Sequence, residues 1–294
     1  MCLRREGRWW TNVDKRPLAV ITGASSGIGA EFARQLAARG YDLLLIARRQ
    51  DRLQELAAEL QKSHAAAAEI LVADLAGEEG RARAAERVAN ASNLALLVNN
   101  AGFGTHGAFA DADLASQEQM HQLHILAILD LTHAALGNFK RPNLKTQRAA
   151  GAPDRGIINV SSIAAFEQAP FNVSYCATKA WINSFTKGLS MELAATGSPV
   201  KMQALCPGFT YSEFHDVLKT DRRIIPKTLW LSAQFVVAES LRGYDRGTLF
   251  VIPDWRYRWL TRLIRMTPGT LMRSLSSHYA RKRRERAQAF AAKT

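Results

Sequence analysis

Tyr175 and Lys179 stand four residues apart in Tyr175-Cys176-Ala177-Thr178-Lys179. On a helix that spacing puts both side chains on one face, a single turn apart. A phenol with a reference pKa of about 10 is a poor acid–base group at neutral pH, and a nearby ammonium favours its phenolate. Ser162 follows the apolar run 157–161, thirteen residues before the tyrosine. A hydroxyl there can hydrogen-bond a carbonyl oxygen and stabilise charge developing on it. Each pattern alone is common: Tyr-x-x-x-Lys arises often by chance, and a serine after a strand is commonly a turn residue.

A second group of residues suits an anion. Thr22-Gly23-Ala24-Ser25-Ser26-Gly27-Ile28-Gly29 lies between the apolar run 18–22 and residues 28–38, where Ile28, Phe32 and Leu36 share one helical face. Glycine is needed where a side chain would block the backbone from a pyrophosphate and where the turn requires positive φ. The free N–H groups and dipole of the helix start then hold the anion. A strand before and a helix after are the context that separates a dinucleotide cradle from a plain tight turn. An NAD site usually has an acid at the tip of the second strand, about 20 residues on, to bind the ribose 2′-hydroxyl. Here the tip reads Ala47-Arg48-Arg49-Gln50, with no acid before Asp51. Arginine there pairs with a 2′-phosphate, which points to NADP(H); the alternative is a solvated loop.

These groups need a scaffold, and the chain alternates between strand-like and helix-like text. Strands are expected at 18–22, 41–47, 70–73, 94–98, 157–161, 201–205 and 248–252, with helices at 28–38, up to about 62, 114–138, 174–195 and 229–242. Residues 141–155 read as an exposed loop. Strands alternating with helices imply right-handed crossovers and a doubly wound α/β fold, a parallel sheet of seven strands covered on both sides. No composition shift marks a boundary before Pro253. One domain is expected over 17–253, with a basic extension at 1–16 and a basic helical appendage at 254–294.

Charge and composition exclude several classes. The net charge is +13, of which residues 255–294 carry +10 and residues 1–17 carry +3, leaving 18–254 neutral. A nucleic-acid binder would spread its basic surface over the folded domain, so nucleic acid is not an expected partner. There is no run of about 18 apolar residues to span a bilayer, and the first ten residues lack the apolar core of a secretory signal. Cys2, Cys176 and Cys206 are too scattered for a disulfide framework or metal site. A cytoplasmic location is the expectation.

Taken together, residues 17–253 resemble the short-chain dehydrogenase/reductase family in its single-domain form, whose fold is of the Rossmann type. The glycines Gly23, Gly27 and Gly29 match the family's cradle, with Ser25, Ser26 and Ile28 among them. The resemblance implies that Asp74, followed by Leu75, contacts the adenine and that Asn99-Asn100-Ala101-Gly102 shapes the cofactor wall. It further implies that Pro207-Gly208 and Ser212 position the nicotinamide. Ser162, Tyr175 and Lys179 match the catalytic three. By that likeness Tyr175 is the general acid in reduction, Ser162 orients the substrate oxygen, and Lys179 holds the nicotinamide ribose and lowers the tyrosine pKa. The implied function is NADP(H)-dependent interconversion of a carbonyl and an alcohol, against the alternative of a non-catalytic nucleotide-binding sensor or scaffold. Relatives form dimers or tetramers through the helices near 114–138 and 174–195, and that expectation carries over.

One position departs from the family. Where many members have an asparagine in the helix before the fifth strand, this chain has His124. Its imidazole either joins a proton relay or is a tolerated helix residue whose backbone carbonyl does the work.

The segment 209–230 stands where the family has its substrate loop. It carries Phe209, Tyr211, Phe214, Val217 and Leu218, and Phe103, Phe166 and Phe171 are expected at the same mouth. Such walls suit an apolar substrate, fatty-acyl, aliphatic or steroid-like, unless the aromatics are ordinary packing. In the appendage, apolar residues at 255, 259, 260, 263 and 264 form one helical stripe among arginines. That helix either lies on an anionic membrane surface or packs over the active-site mouth or a subunit partner.

Overall fold

The apolar runs 18–21, 43–47 and 94–98 have no polar face to give to water, so a sheet built around them must be covered on both sides. The computed structural model describes residues 16–105, 107–141, 154–213 and 226–267. Phe214, Val217 and Leu218, most of the loop expected at 141–155, the first fifteen residues and the tail beyond 267 lie outside the described residues.

The chain alternates β1 (Leu18–Thr22), α1 (Gly27–Ala38), β2 (Asp42–Ala47), α2 (Gln50–His64), β3 (Ala68–Val72), α3 (Glu78–Ala89) and β4 (Leu94–Asn99). It continues through α4 (Leu114–His121), α5 (Ala127–Phe139), β5 (Gly156–Val160), α6 (Val173–Ala195), β6 (Lys201–Leu205), α7 (Ala233–Asp245), β7 (Phe250–Val251) and α8 (Trp255–Met266). All seven strands are parallel, in the order β3-β2-β1-β4-β5-β6-β7. Strand period sorts the core: Ala19 and Ile21 of β1 face α1, α2 and α7, whereas Val20 faces α3 and α5. The order reverses between β1 and β4. A crevice opens there beyond the carboxyl ends of the strands, where such sheets bind ligands.

Element boundaries depart from expectation for local reasons. The helix expected at 114–138 is broken by a π-helical turn over Gln122–Leu126, a feature common at functional sites. The helix expected from 229 begins at Ala233, because the Ser232 hydroxyl accepts from Phe235 N at 3.1 Å and closes the first turn. The last strand shrinks to two residues, since Thr248 N is bonded to Gly243 O at the end of α7.

The appendage begins as part of the folded body. Asp254, at φ 74°, caps α8 by accepting from Arg256 N at 2.7 Å. Tyr257 is 1% exposed. Its ring fills the space over Gly208, where any Cβ would come within 2.2 Å of it. The hydroxyl donates to Leu229 O at 2.5 Å and accepts from Phe209 N at 3.2 Å. The tyrosine therefore ties α8 to the segments around β6. Tyr257→Ala is expected to cost about 3–5 kcal/mol in urea unfolding, the range for emptying a buried aromatic site. Trp259→Ala, on the opposite side of α8, should cost less than about 1 kcal/mol. Equal costs would mean that Tyr257 does not anchor the helix.

Candidate active site

At the end of β1 the backbone turns with Gly23 at φ 65° and Gly27 at φ 55°, values that glycine adopts without strain. A Cβ on Gly29 would sit 2.3 Å from Gly23 O, so a larger residue would push the turn apart. Asn100 stitches this turn to the loop after β4: its Nδ2 donates to Thr22 O at 2.9 Å and to Gly23 O at 3.3 Å. In return Thr22 Oγ1 accepts from the N–H groups of Asn100 and Ala101, both at 2.9 Å. Thr22 was not singled out from sequence; its place as the last strand residue before the glycines was the available signal. The first turn of α1 holds no acidic residue, and the Ser26 side chain does not cap it. Its N–H groups thus suit an anion.

A cavity of about 860 Å³ runs from this cradle across the crevice. Gly23, Ser25, Ser26, Gly27 and Ile28 line one end, together with Arg48, Arg49, Asp74 and Leu75. Asn100, Ala101 and Gly102 line the middle, and Ser162, Tyr175, Lys179, Pro207 and Gly208 the far end. Ser212 also lines the cavity but sits at the cradle, where a Cβ on Gly27 would meet its Cβ at 3.0 Å. Two expected residues stand back from it: Gly29 packs beneath the turn, and His124 lies behind Gly102. At the β2 tip the two arginines differ. Arg49 Nη2 reaches Ser25 Oγ and Ser26 Oγ, both at 2.9 Å, and pairs with Glu213 at 2.7 Å. That hydrogen bond holds the Glu213 carboxyl below its ordinary pKa. Arg48 is exposed, with its guanidinium 3.9 Å from Asp74 Oδ2.

At the chemical end, α6 carries Tyr175 and Lys179 on the face turned to β5. Ser161 Oγ donates to Lys179 O at 3.1 Å, and Lys179 Nζ donates to Val160 O at 2.9 Å. The Nζ lies 5.7 Å from the centre of the Tyr175 ring. Burial of the ammonium pulls its pKa down to about 8. Burial pushes the Tyr175 phenol up to about 12, and its hydrogen bond with Ser162 only partly offsets this. The spacing suggested a phenolate favoured by the ammonium; burial instead raises the phenol pKa, which leaves it protonated at neutral pH.

His124, 1% exposed, is swung inward within the π turn. Thr178 donates its hydroxyl proton to Tyr175 O at 2.9 Å, which leaves His124 Nδ1 to donate to Thr178 Oγ1 at 2.9 Å. Its Nε2 is buried with no hydrogen-bond partner among the described residues, and a Cβ on Gly102 would lie 2.7 Å from it. Burial, with Lys179 adding repulsion, holds the imidazole pKa well below its ordinary value, so the ring is neutral. Sequence reasoning overlooked Thr178. It also overlooked Asn159, a polar break in β5; Asn99, expected in the cofactor wall, is buried instead and donates its Nδ2 to Asn159 Oδ1 at 2.9 Å.

The expected aromatic wall is corrected in part. Phe103 and Phe209 line the cavity. Phe166 does not: it follows the 3₁₀ turn Ile163–Ala165 and turns toward α8, where the Arg265 guanidinium stands 4.9 Å from its ring centre. Phe171, at φ 69°, lines a separate recess of about 10 Å³ with Thr105 and Phe109. In their place Gln119, Leu123, Glu167, Gln168 and Ile264 reach the cavity, a more polar wall than anticipated.

Comparison with known proteins decides the family. The short chain dehydrogenase family model matches residues 17–223. This chain belongs to the short-chain dehydrogenases. An uncharacterized oxidoreductase of Mycobacterium tuberculosis is 30% identical over 263 residues, covering 88% of this chain and 96% of that one. Among solved structures, a short-chain dehydrogenase from Sphingobium yanoikuyae in complex with NADPH superposes with a TM-score of 0.73 at 32% identity, over 83% of this chain and 90% of that one. The bulky-bulky ketone specific alcohol dehydrogenase from Comamonas testosteroni does so with a TM-score of 0.70 at 28% identity, over 86% and 95% of the two chains.

As a short-chain dehydrogenase the protein is an oxidoreductase that works with a nicotinamide dinucleotide, and its cavity fits one. The glycines let the turn pack closely on itself and on the loop after β4, and the uncapped start of α1 lies at that end of the cavity. The lysine gives a pH test. The Lys179 pKa is depressed on folding from 10.5 to about 8, so between those values the unfolded chain binds more protons and stability rises with pH. Below pH about 8 both states are protonated and the contribution is flat. Lys179→Met lacks this term. The melting temperature of wild type minus that of the variant should therefore climb from pH about 8 to 10.5, and a difference constant with pH would show that the amine is not desolvated.

Proposed function

We propose that the protein is an NADP(H)-dependent reductase of apolar ketones or aldehydes, able to run in reverse as an alcohol dehydrogenase. The observation that carries this is the placement of Ser162, a protonated Tyr175 and Lys179 on one wall of a cavity that starts at the glycine cradle. The dinucleotide supplies the hydride; the chain supplies binding, alignment and the proton. Tyr175 Oη holds the proton that the carbonyl oxygen takes up as it becomes a hydroxyl. Ser162 Oγ accepts from Ala164 N at 3.1 Å, which fixes it to direct its own proton at the same oxygen. Lys179, anchored on Val160 O, keeps positive charge beside the phenolate left after transfer. His124, neutral and bonded to Thr178, positions the first turn of α6 rather than carrying a proton.

Preference for NADP(H) rests on Arg49 and Arg48, two guanidinium groups at the β2 tip where an NAD site would have an acid. Arg49 is held beside Ser25 and Ser26, ready to share its donors with a 2′-phosphate. Preference for an apolar substrate rests on Phe103, Leu123, Ile163, Phe209 and Ile264 around the chemical end, with Glu167 and Gln168 placed to meet one polar group. The likeness to a dehydrogenase specific for bulky ketones supports that class.

Nicotinamide absorbance over a panel of fatty-acyl, aliphatic and polycyclic carbonyl compounds tests both parts. Tyr175→Phe should lower turnover by about a thousandfold while leaving NADPH affinity within about threefold. Arg49→Ala should weaken NADPH binding by about 10- to 100-fold, as expected for a lost charge-assisted bond, and barely change NADH. A Tyr175→Phe enzyme as fast as wild type would refute the catalytic assignment, and equal losses for both cofactors would refute the 2′-phosphate assignment.

A further inference from the structure

The helix α8 shows two unlike faces. At 3.6 residues per turn, Tyr257, Thr261 and Ile264 fall on one side and pack on the domain, with Ile264 reaching the cavity. The opposite side carries Trp255, Trp259, Leu263 and Met266, which are 62%, 62%, 66% and 82% exposed. The apolar stripe read from the sequence is therefore split: Trp255, Trp259, Leu260 and Leu263 are exposed, whereas Ile264 joins Tyr257 and Thr261 on the body. Arg258 and Arg262 border the outward stripe, and the Arg262 guanidinium lies 5.5 Å from the Trp259 ring centre. The helix is anchored to the body: the Tyr257 hydroxyl makes two hydrogen bonds, and Arg256 ties the start of α8 to Asp254 and Thr228 O.

We propose that α8 docks the protein onto an anionic lipid bilayer, with Trp255, Trp259 and Leu263 entering the headgroup–acyl boundary. Charge selects this occupant. Residues 255–294 carry +10 while residues 18–254 carry none, so two copies meeting stripe to stripe would bring like charges together, whereas an anionic surface attracts them. A nucleic acid would match the charge and could stack bases on the tryptophans, but it gives Leu263 and Met266 no apolar interior to enter. Tryptophan suits the interface, since its ring is apolar and its N–H keeps a polar partner. Among the described residues no helix is long and apolar enough to cross a membrane, so α8 would lie on the surface rather than span it. Docking places the cavity wall at Ile264 about 10 Å, one helix diameter, from the lipid. A short path for a carbonyl compound dissolved there follows only if the reductase function holds; docking itself does not depend on it.

The test uses the full chain. A chain cut before 255 would lose Tyr257 and uncover Gly208, so outward residues are changed instead, in Trp255→Ser/Trp259→Ser/Leu263→Ser. Wild type should co-sediment with phosphatidylcholine–phosphatidylglycerol vesicles, bind phosphatidylcholine vesicles weakly, and shift its tryptophan emission to the blue. The triple variant should melt like wild type yet bind the anionic vesicles at least about tenfold more weakly. No sedimentation of wild type with anionic vesicles overturns the proposal. So does equal sedimentation of the triple variant, which would assign binding to tail charge alone. A wild-type dimer that the variant breaks, without vesicle binding, would overturn it in favour of a second copy. Carbonyl reduction is assayed separately, so a failed docking experiment and a failed activity assignment remain distinguishable.

Discussion

An amine and a phenol, sealed into one helix face against a sheet, set the terms for the rest of the molecule. Burial opposes charge on both, lowering the Lys179 pKa to about 8 and raising that of Tyr175 to about 12. The result is a phenol that keeps its proton at neutral pH beside an amine that largely keeps its own. This pairing is stable only because the ammonium finds the Val160 carbonyl and because Ser161 fastens the helix backbone at Lys179. The face of α6 that carries Tyr175 and Lys179 is thus set by where β5 ends, with the Val160 carbonyl left to accept.

The opposite end of the cavity is built on steric exclusion rather than charge. Gly23 and Gly29 touch through backbone, and Asn100 and Thr22 exchange hydrogen bonds across the point where the strand order reverses. The cradle and the cofactor wall are therefore one rigid unit. The chemical end joins it through the parallel pairing of β4 with β5. Hinging these parts independently would break sheet pairing, which is why alignment can be inherited from the fold.

Much of this was legible in the residues. Alternation of strand and helix text announced the seven parallel strands, and the glycine turn with its flanking elements announced the crevice. Ser162, Tyr175 and Lys179 meet at the cavity because their spacing follows from one strand end and one helical turn. What stayed hidden depends on tertiary context. A π turn cannot be read from helical spacing, so the burial of His124 was unforeseen. Which face of α8 meets the body stayed open in the sequence because its gripping residues Tyr257 and Thr261 are less apolar than those facing outward. Phe166 and Phe171 were placed by proximity in sequence, while a 3₁₀ turn and a positive φ send them elsewhere. The direction of the Tyr175 pKa needed the depth of burial, which spacing does not contain.

The state of the phenol is the point on which the chemistry turns. Ring-carbon NMR of tyrosine-labelled, ligand-free protein, with Tyr175→Phe to assign the signal, measures it directly. The expected result is a Tyr175 resonance that stays in its protonated position up to about pH 10, as burial requires. A midpoint at or below about pH 8 would show that the ammonium, not desolvation, controls the phenol and would contradict the assignment of Tyr175 as the stored proton.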